Sequence, residues 1–207
     1  MDYARALGLA EALRDELRAA CGRIEIAGSV RRRKADVGDI EILAIPALEL
    51  YQRRDLFGEA LEATPVNMVE ARLGRLIEAG PSAFEWIYDQ VTPRDGPRYK
   101  RLHHTSGICC DLFLTTPERW GYLLAVRTGP ADFSKELVTL ALRLGWHFSG
   151  CMLHRHPKVG GKACPKGERC PLIVPTPEEG DVFEALGIPM PRPEDRTAEL
   201  LRRVVAR

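Results

Sequence analysis

Side-chain amides are nearly missing from this chain of 207 residues, where Gln52, Asn67 and Gln90 are the only ones. Arginine also far outnumbers lysine. Both biases fit a GC-rich genome or a hot environment, and composition does not choose between them. No apolar run approaches the roughly 18 residues that cross a bilayer, and the opening lacks the basic-then-apolar layout of a leader, so a soluble, cytoplasmic protein without a membrane partner is expected. No internal repeat is present. The length excludes a large multidomain machine and leaves room for one ordinary domain or two small subdomains. Neither sign of charge prevails, because 30 Lys and Arg stand against 29 Asp and Glu. The total therefore does not announce a nucleic-acid partner.

What is present is segregated. Basic residues cluster at Arg31 to Lys34 and again from Arg155 to Arg169, while Glu178 to Glu199 is acidic apart from Arg192 and Arg196. A near-zero sum thus hides a divided field. The 6 cysteines, without a secretory signal, point to buried thiols or metal ligands and away from a disulfide framework. Cys21, Cys109 and Cys110 lie in apolar stretches and read as small core residues. Cys151, Cys164 and Cys170 keep company with His154 and His156.

Periodicity predicts an amphipathic helix over 2–20, strands over 24–27 and 39–45, and mainly helix over 50–80, with Leu56, Leu61, Val69, Leu73, Leu76 and Ile77 for burial. Strands follow over 84–91, 98–103 and 108–115, around the turn signal at 93–97. Short helices are expected at 120–126 and 132–144, small strands near 146–148, 152–154 and 172–174, and a helix over 176–186 capped by Thr176. The fold class that emerges is α+β, a mixed sheet backed by helices.

The densest chemistry lies in Gly28-Ser29, Arg31-Arg32, Gly38 and Asp39-x-Glu41. Carboxylates two apart on a strand share a face and can grip a pair of divalent cations. A Gly-Ser pair just after a strand offers N–H groups and a hydroxyl to phosphate oxygens, and nearby arginines supply fork-shaped donors. Alone, Asp-x-Glu would read as a solvated strand face. The upstream Gly-Ser and arginines turn it into a nucleoside triphosphate site.

The string Ala27-Gly-Ser-Val-Arg-Arg-Arg-Lys-Ala-Asp-Val-Gly-Asp-Ile-Glu-Ile42 resembles the family X DNA polymerases, nucleotidyltransferases related to polymerase beta. Cys110-Asp111-Leu-Phe-Leu is similar to the family's later strand with its third metal-binding Asp. Thr128-Gly129 resembles the segment that closes on the nucleotide sugar, and Val182 to Pro189 with Pro193 to Arg196 is similar to the family's ending.

The resemblance covers the whole chain. It implies a nucleotidyltransferase palm over 1–118 and a small thumb-like C-terminal subdomain over 119–207, with neither the usual N-terminal lyase module nor an appended phosphoesterase. It further implies a DNA polymerase that adds deoxynucleotides to a 3′-hydroxyl, with Asp39, Glu41 and Asp111 holding two Mg²⁺ (or Mn²⁺). Gly28, Ser29, Arg32, Gly38, Thr128 and Gly129 would bind the nucleotide. The implied partners are primer/template DNA and a dNTP, and the implied state is a monomer.

Three departures stand out. Glu41 replaces the family's usual Asp, Val126-Arg127 replaces an aromatic pair, and Ser134 and Val138 fall where polar contacts to base and template are expected. They keep open a template-independent terminal transferase and a catalytically silent nucleic-acid-binding module. The bond after Gly129 is expected to be cis.

Cys151-x2-His154-x-His156 with Cys164-x5-Cys170 suits a tetrahedral Zn²⁺ site, using Cys164, Cys170 and two of Cys151, His154 and His156. The same residues would serve equally as reduced thiols and phosphate-facing histidines. In either case Arg155, Lys158, Lys162, Lys166 and Arg169 make this loop the candidate grip on a DNA backbone. His103-His104 reads as a solvated strand end, and Trp86, Trp120 and Trp146 as core anchors.

Overall fold

The computed structural model describes residues 1–52, 56–57, 59, 62–80, 84–88, 95–157 and 164–205. The chain opens with α1 (Tyr3–Arg18), β1 (Cys21–Ile26), α2 (Gly28–Arg31), β2 (Asp39–Pro46), β3 (Leu48–Tyr51), β4 (Thr64–Asn67) and α3 (Met68–Glu78). It continues through β5 (Trp86–Tyr88), β6 (Asp95–Gly96), β7 (Tyr99–His104), β8 (Cys109–Leu114), α4 (Pro117–Thr128) and α5 (Ala131–Arg143). β9 (His147–Ser149), β10 (Met152–His154), β11 (Ile173–Val174), α6 (Glu179–Ala185) and α7 (Ala198–Val205) complete it. Among the described residues no helix is long and apolar enough to cross a membrane.

The main sheet has the order β1-β2-β8-β7-β5, with β6 added beside β7. β2 and β8 run parallel, and their neighbours antiparallel. Strand alternation assigns the two faces. Ile40, Ile42 and Ala44 of β2, with Cys110, Leu112 and Leu114 of β8, pack against Ala6, Ala10, Leu13 and Leu17 of α1 and Leu73 of α3. Leu43 and Phe113 point the other way and meet Ala27, Trp120 and Leu124. α4 covers only that far end, so the start of the same face, at Asp39 and Glu41, is left half-open. A second core gathers Phe133, Leu137, Leu140, Leu153, Val182, Phe183 and Leu201 in the C-terminal half.

α4 contributes to both cores, and two local features place it. Pro117 sits in the first turn of α4, where its missing N–H costs nothing. Gly121 then lies so close to the chain at Thr176 and Glu178 that a Cβ would overlap both carbonyls. Its N–H donates to the Thr176 carbonyl at 2.9 Å.

The structure departs from the sequence reading at several points. Residues 50–80 are not mainly helical, because β3 and β4 form an exposed hairpin and only α3 is helix. Pro65 lacks the N–H a helix interior needs, and Asn67 caps α3 by accepting from the amides of Val69 and Glu70 at 3.0 and 3.3 Å. Leu56, expected in the core, is exposed, and Leu61 lies outside the described residues. The helix expected over 176–186 starts at Glu179 with Glu178 as its cap, where Glu178 N–H donates to Asp181 Oδ2 at 2.7 Å, rather than at Thr176. α7 was not expected.

The Gly129–Pro130 bond is trans, not cis. Gly129 takes φ −69° and ψ 150°, the extended state favoured before proline, and Pro130 leads directly into α5.

Candidate active site

Asp39 and Glu41 stand two apart on β2, and Glu41 is the register partner of Asp111 on β8. The three carboxylates therefore share the sheet face that α4 leaves half-open. Burial, together with the negative charges of Asp39 and Asp111, pushes the Glu41 carboxyl up to about 7, against the counter-pull of Arg127 and Arg32. Like charges this close, all on oxygen donors, fit a hard divalent cation, which would draw such a carboxyl back down.

Asp111 is held by the neighbouring strand. Arg101, its register partner on β7, donates to both carboxylate oxygens at 2.6 and 2.7 Å, and the Tyr99 hydroxyl donates to Oδ1 at 2.8 Å. Sequence reading missed both residues. Their signal was there, since Tyr99 and Arg101 alternate onto one face of a strand that had been recognised. Arg127 was noted only as a departure. Its guanidinium stacks 3.8 Å from the Phe113 ring centroid, and its Nε is buried without a hydrogen-bond partner. Tyr99, Asp111, Phe113 and Arg127 line a cavity of about 380 Å³. The larger cleft, about 1020 Å³ between the end of β2 and the Cys170 segment, contains none of the three carboxylates.

Gly28 shows why a glycine precedes Ser29. Its φ is +63°, and a Cβ there would collide with the Glu41 carboxylate. Gly28→Ala should cost about 1–2 kcal/mol for the left-handed backbone and displace Glu41. Thermal melting should register the loss, and an unchanged melting temperature would mean that neither the backbone nor Glu41 is strained by the substitution.

Ser29 is half-buried and its hydroxyl lies 3.4 Å from the Asp39 carbonyl, while Gly38 is exposed just before Asp39. Arg32 donates to the Thr128 carbonyl at 2.6 Å, and Arg31 donates to Thr128 Oγ1 at 2.7 Å. Thr128-Gly129 at the end of α4 is thus tied to the basic link after Gly28-Ser29. Arg31 also grips Glu179 through two bonds of 2.9 and 2.8 Å, and Glu179 accepts from Arg196 at 2.6 Å. Sequence reading named Arg196 only as part of the family-like ending and passed over Glu179, because an ion pair this distant in the chain leaves no periodic trace.

Residues 123–197 match the family model of the DNA polymerase beta thumb. Two solved structures of Leishmania infantum polymerase beta, a ternary P/T complex and a ternary gap complex, superpose with TM-scores of 0.67 and 0.68. Each is 19% identical and is matched over 95% of this chain, and the matches span 76% and 70% of the Leishmania chains. The fold is polymerase beta-like.

Within this polymerase beta-like fold the remaining expected residues separate into two groups. His154, His156, Cys164 and Cys170 come together, with ligand atoms within 4.8 Å of one another. Cys151 does not join them; it sits in a turn at φ 63° and lines the cavity beside Asp111. Arg155, Lys166 and Arg169 are exposed around this cluster, and Arg155 stacks 4.9 Å from the Trp146 ring centroid. Lys158 and Lys162 lie outside the described residues. Trp86 and Trp120 are core anchors as expected, whereas Trp146 is only half-buried.

Proposed function

We propose that the protein is a DNA polymerase of the family X type, a nucleotidyltransferase that adds deoxynucleotides from dNTPs to a DNA 3′-hydroxyl. The reading rests on the convergence of Asp39, Glu41 and Asp111 on one open sheet face beside Gly28-Ser29, within a polymerase beta-like fold. Residues 1–118 act as the palm and 119–207 as the thumb-like part. The three carboxylates would hold a pair of Mg²⁺ (or Mn²⁺), which when bound supplies charge stabilisation for the attacking oxygen and the departing pyrophosphate.

The chain itself contributes positioning and donors. Ser29 and Arg32 offer a hydroxyl and a guanidinium to triphosphate oxygens, and Gly38 leaves their approach to Asp39 uncrowded. Arg101 and Tyr99 fix the orientation of Asp111. Thr128 and Gly129, hydrogen-bonded to the basic link through Thr128, join the sugar side of the site to its phosphate side. Arg155, Lys158, Lys162, Lys166 and Arg169 supply sequence-independent contacts to the DNA backbone.

A template-independent terminal transferase is the second reading. One observation favours it: the Ser134 hydroxyl donates to the Val126 carbonyl at 2.8 Å, which occupies a group that would otherwise meet base or template. Primer extension with and without a template strand, run in Mg²⁺ and in Mn²⁺, distinguishes the alternatives. Template-directed incorporation is expected. Equal extension without template would favour the transferase. DNA binding with no incorporation in either metal would leave a silent binding module of the same fold.

A further inference from the structure

We propose that His154, His156, Cys164 and Cys170 bind one structural Zn²⁺ that locks the Cys164 to Cys170 turn onto the small β9-β10-β11 sheet. The proposal is independent of the polymerase reading, since none of the four residues contributes to the carboxylate face.

The spacing of the donor atoms is the first support. His156 Nε2 lies 3.5 Å from Cys164 Sγ and 3.5 Å from Cys170 Sγ. With Zn–S of about 2.3 Å and Zn–N of about 2.0–2.1 Å, a tetrahedral centre puts sulfur and nitrogen about 3.5 Å apart along its edge. Direct hydrogen bonding between a thiol and an imidazole would not by itself bring both sulfurs to one nitrogen at equal distance. Two thiolates and two imidazoles are also the donor set that tetrahedral zinc prefers.

The surrounding hydrogen bonds leave one lone pair free on each histidine. His156 Nδ1 is paired with the Pro157 carbonyl at 2.9 Å, which leaves Nε2 facing the sulfurs. His154 Nε2 is paired with the Ser149 carbonyl at 3.3 Å, and its Nδ1 is fully buried with no partner. A buried unpaired ring nitrogen beside two buried cysteines is costly unless something fills it. Backbone carbonyls that orient the second ring nitrogen are the usual companions of a metal-binding histidine.

The turn is closed by its own backbone. The Gly167 N–H donates to the Cys164 carbonyl at 3.0 Å, with Gly167 at φ +47°. Ser149 braces both sides, because its hydroxyl accepts the Cys164 N–H at 3.2 Å while its carbonyl accepts from His154. Little apolar surface is available to order this turn, so a metal crosslink can supply what the small core lacks.

The lock reaches α4, whose Trp120 and Leu124 pack against the main sheet. Glu168, inside the turn, forms an ion pair with the buried Arg119 of α4. Two thiolates neutralise the ion's charge, so Arg155, Lys166 and Arg169 around it still present a positive face.

The test uses the full chain, purified without a histidine tag or chelator. Elemental analysis should find about one zinc per chain, and the Co²⁺-substituted protein should show the intense ligand-field absorption of tetrahedral thiolate–imidazole coordination. Cys170→Ser should lose most of the metal and Cys151→Ser should keep it. Because Cys170→Ser could misfold, the wild-type chain is also melted before and after a strong chelator, with a lower melting temperature expected after removal and recovery on adding zinc. Absence of metal from protein purified with zinc present, or a mass two hydrogens lighter from a Cys164–Cys170 disulfide, would overturn the proposal. So would loss of zinc from Cys151→Ser.

Discussion

Asp39→Asn is expected to cut nucleotide incorporation by at least about 10²-fold, the scale on which removal of one group from a preorganised electrostatic site is felt. The fold should survive. Asp39 lies at the start of β2, half-exposed, and its neighbours on that face are two further carboxylates, one of which it drives upward in pKa. Removing one of three mutually repelling charges relieves the native state, so the melting temperature should hold or rise slightly. Single-turnover primer extension and thermal melting on the same preparation decide the matter. An unfolded variant, or one that still extends primers at near the parental rate, would remove Asp39 from the catalytic assignment.

Glu179→Ala should produce the largest loss of stability. The carboxylate is buried between Arg31 and Arg196, and the Arg196 side chain is 0% exposed. Removing one partner of a buried ion pair leaves a desolvated charge uncompensated, which costs about 3–5 kcal/mol. For a chain of this size that corresponds to a melting temperature lower by on the order of 10 °C.

The same group predicts a pH dependence. Burial pushes the Glu179 carboxyl up, but hydrogen bonds and charges from Arg31 and Arg196 outweigh it and hold the carboxyl below its ordinary 4.5. A depressed folded value means that the stabilisation is complete above pH 4.5 and is lost as the pH falls through the folded value. Urea melts of parent and Glu179→Ala from neutral pH downward should therefore converge in acid. Parallel curves throughout would show that the ion pair is energetically neutral.

How much of this was legible depends on where the determining interactions lie along the chain. Asp39-x-Glu41 could be read because a strand imposes a period of two on a short stretch, and the glycine before Ser29 because a turn follows a strand there. α1 and α5 were recovered for the same reason: each buries one face, and burial writes a period into the sequence; β2 and β8, buried on both faces over most of their length, showed instead as short apolar runs. The β3-β4 hairpin buries almost nothing, so its apolar residues carried no usable phase and were taken for helix. The Arg101 clamp on Asp111 and the Glu179 ion pairs depend on strand register and on the packing of distant segments, which local patterns do not encode. Choosing His154 and His156 over Cys151 needed the left-handed turn at Cys151, a conformation that its residue type does not announce.

Gly121 also says something about the chain as a path. The backbone leaves this point along α4 and comes back to within one hydrogen bond of it at Thr176. The stretch between is tied down at further points, by the Arg31 and Arg32 bonds to Thr128 and by Phe133, Leu137 and Leu153 against Val182, Phe183 and Leu201. A change of length is therefore borne best between β10 and β11, whose pairing already closes that connection, because the entropy of a closed loop varies slowly with length. The turn with Cys164 and Cys170 lies on that connection.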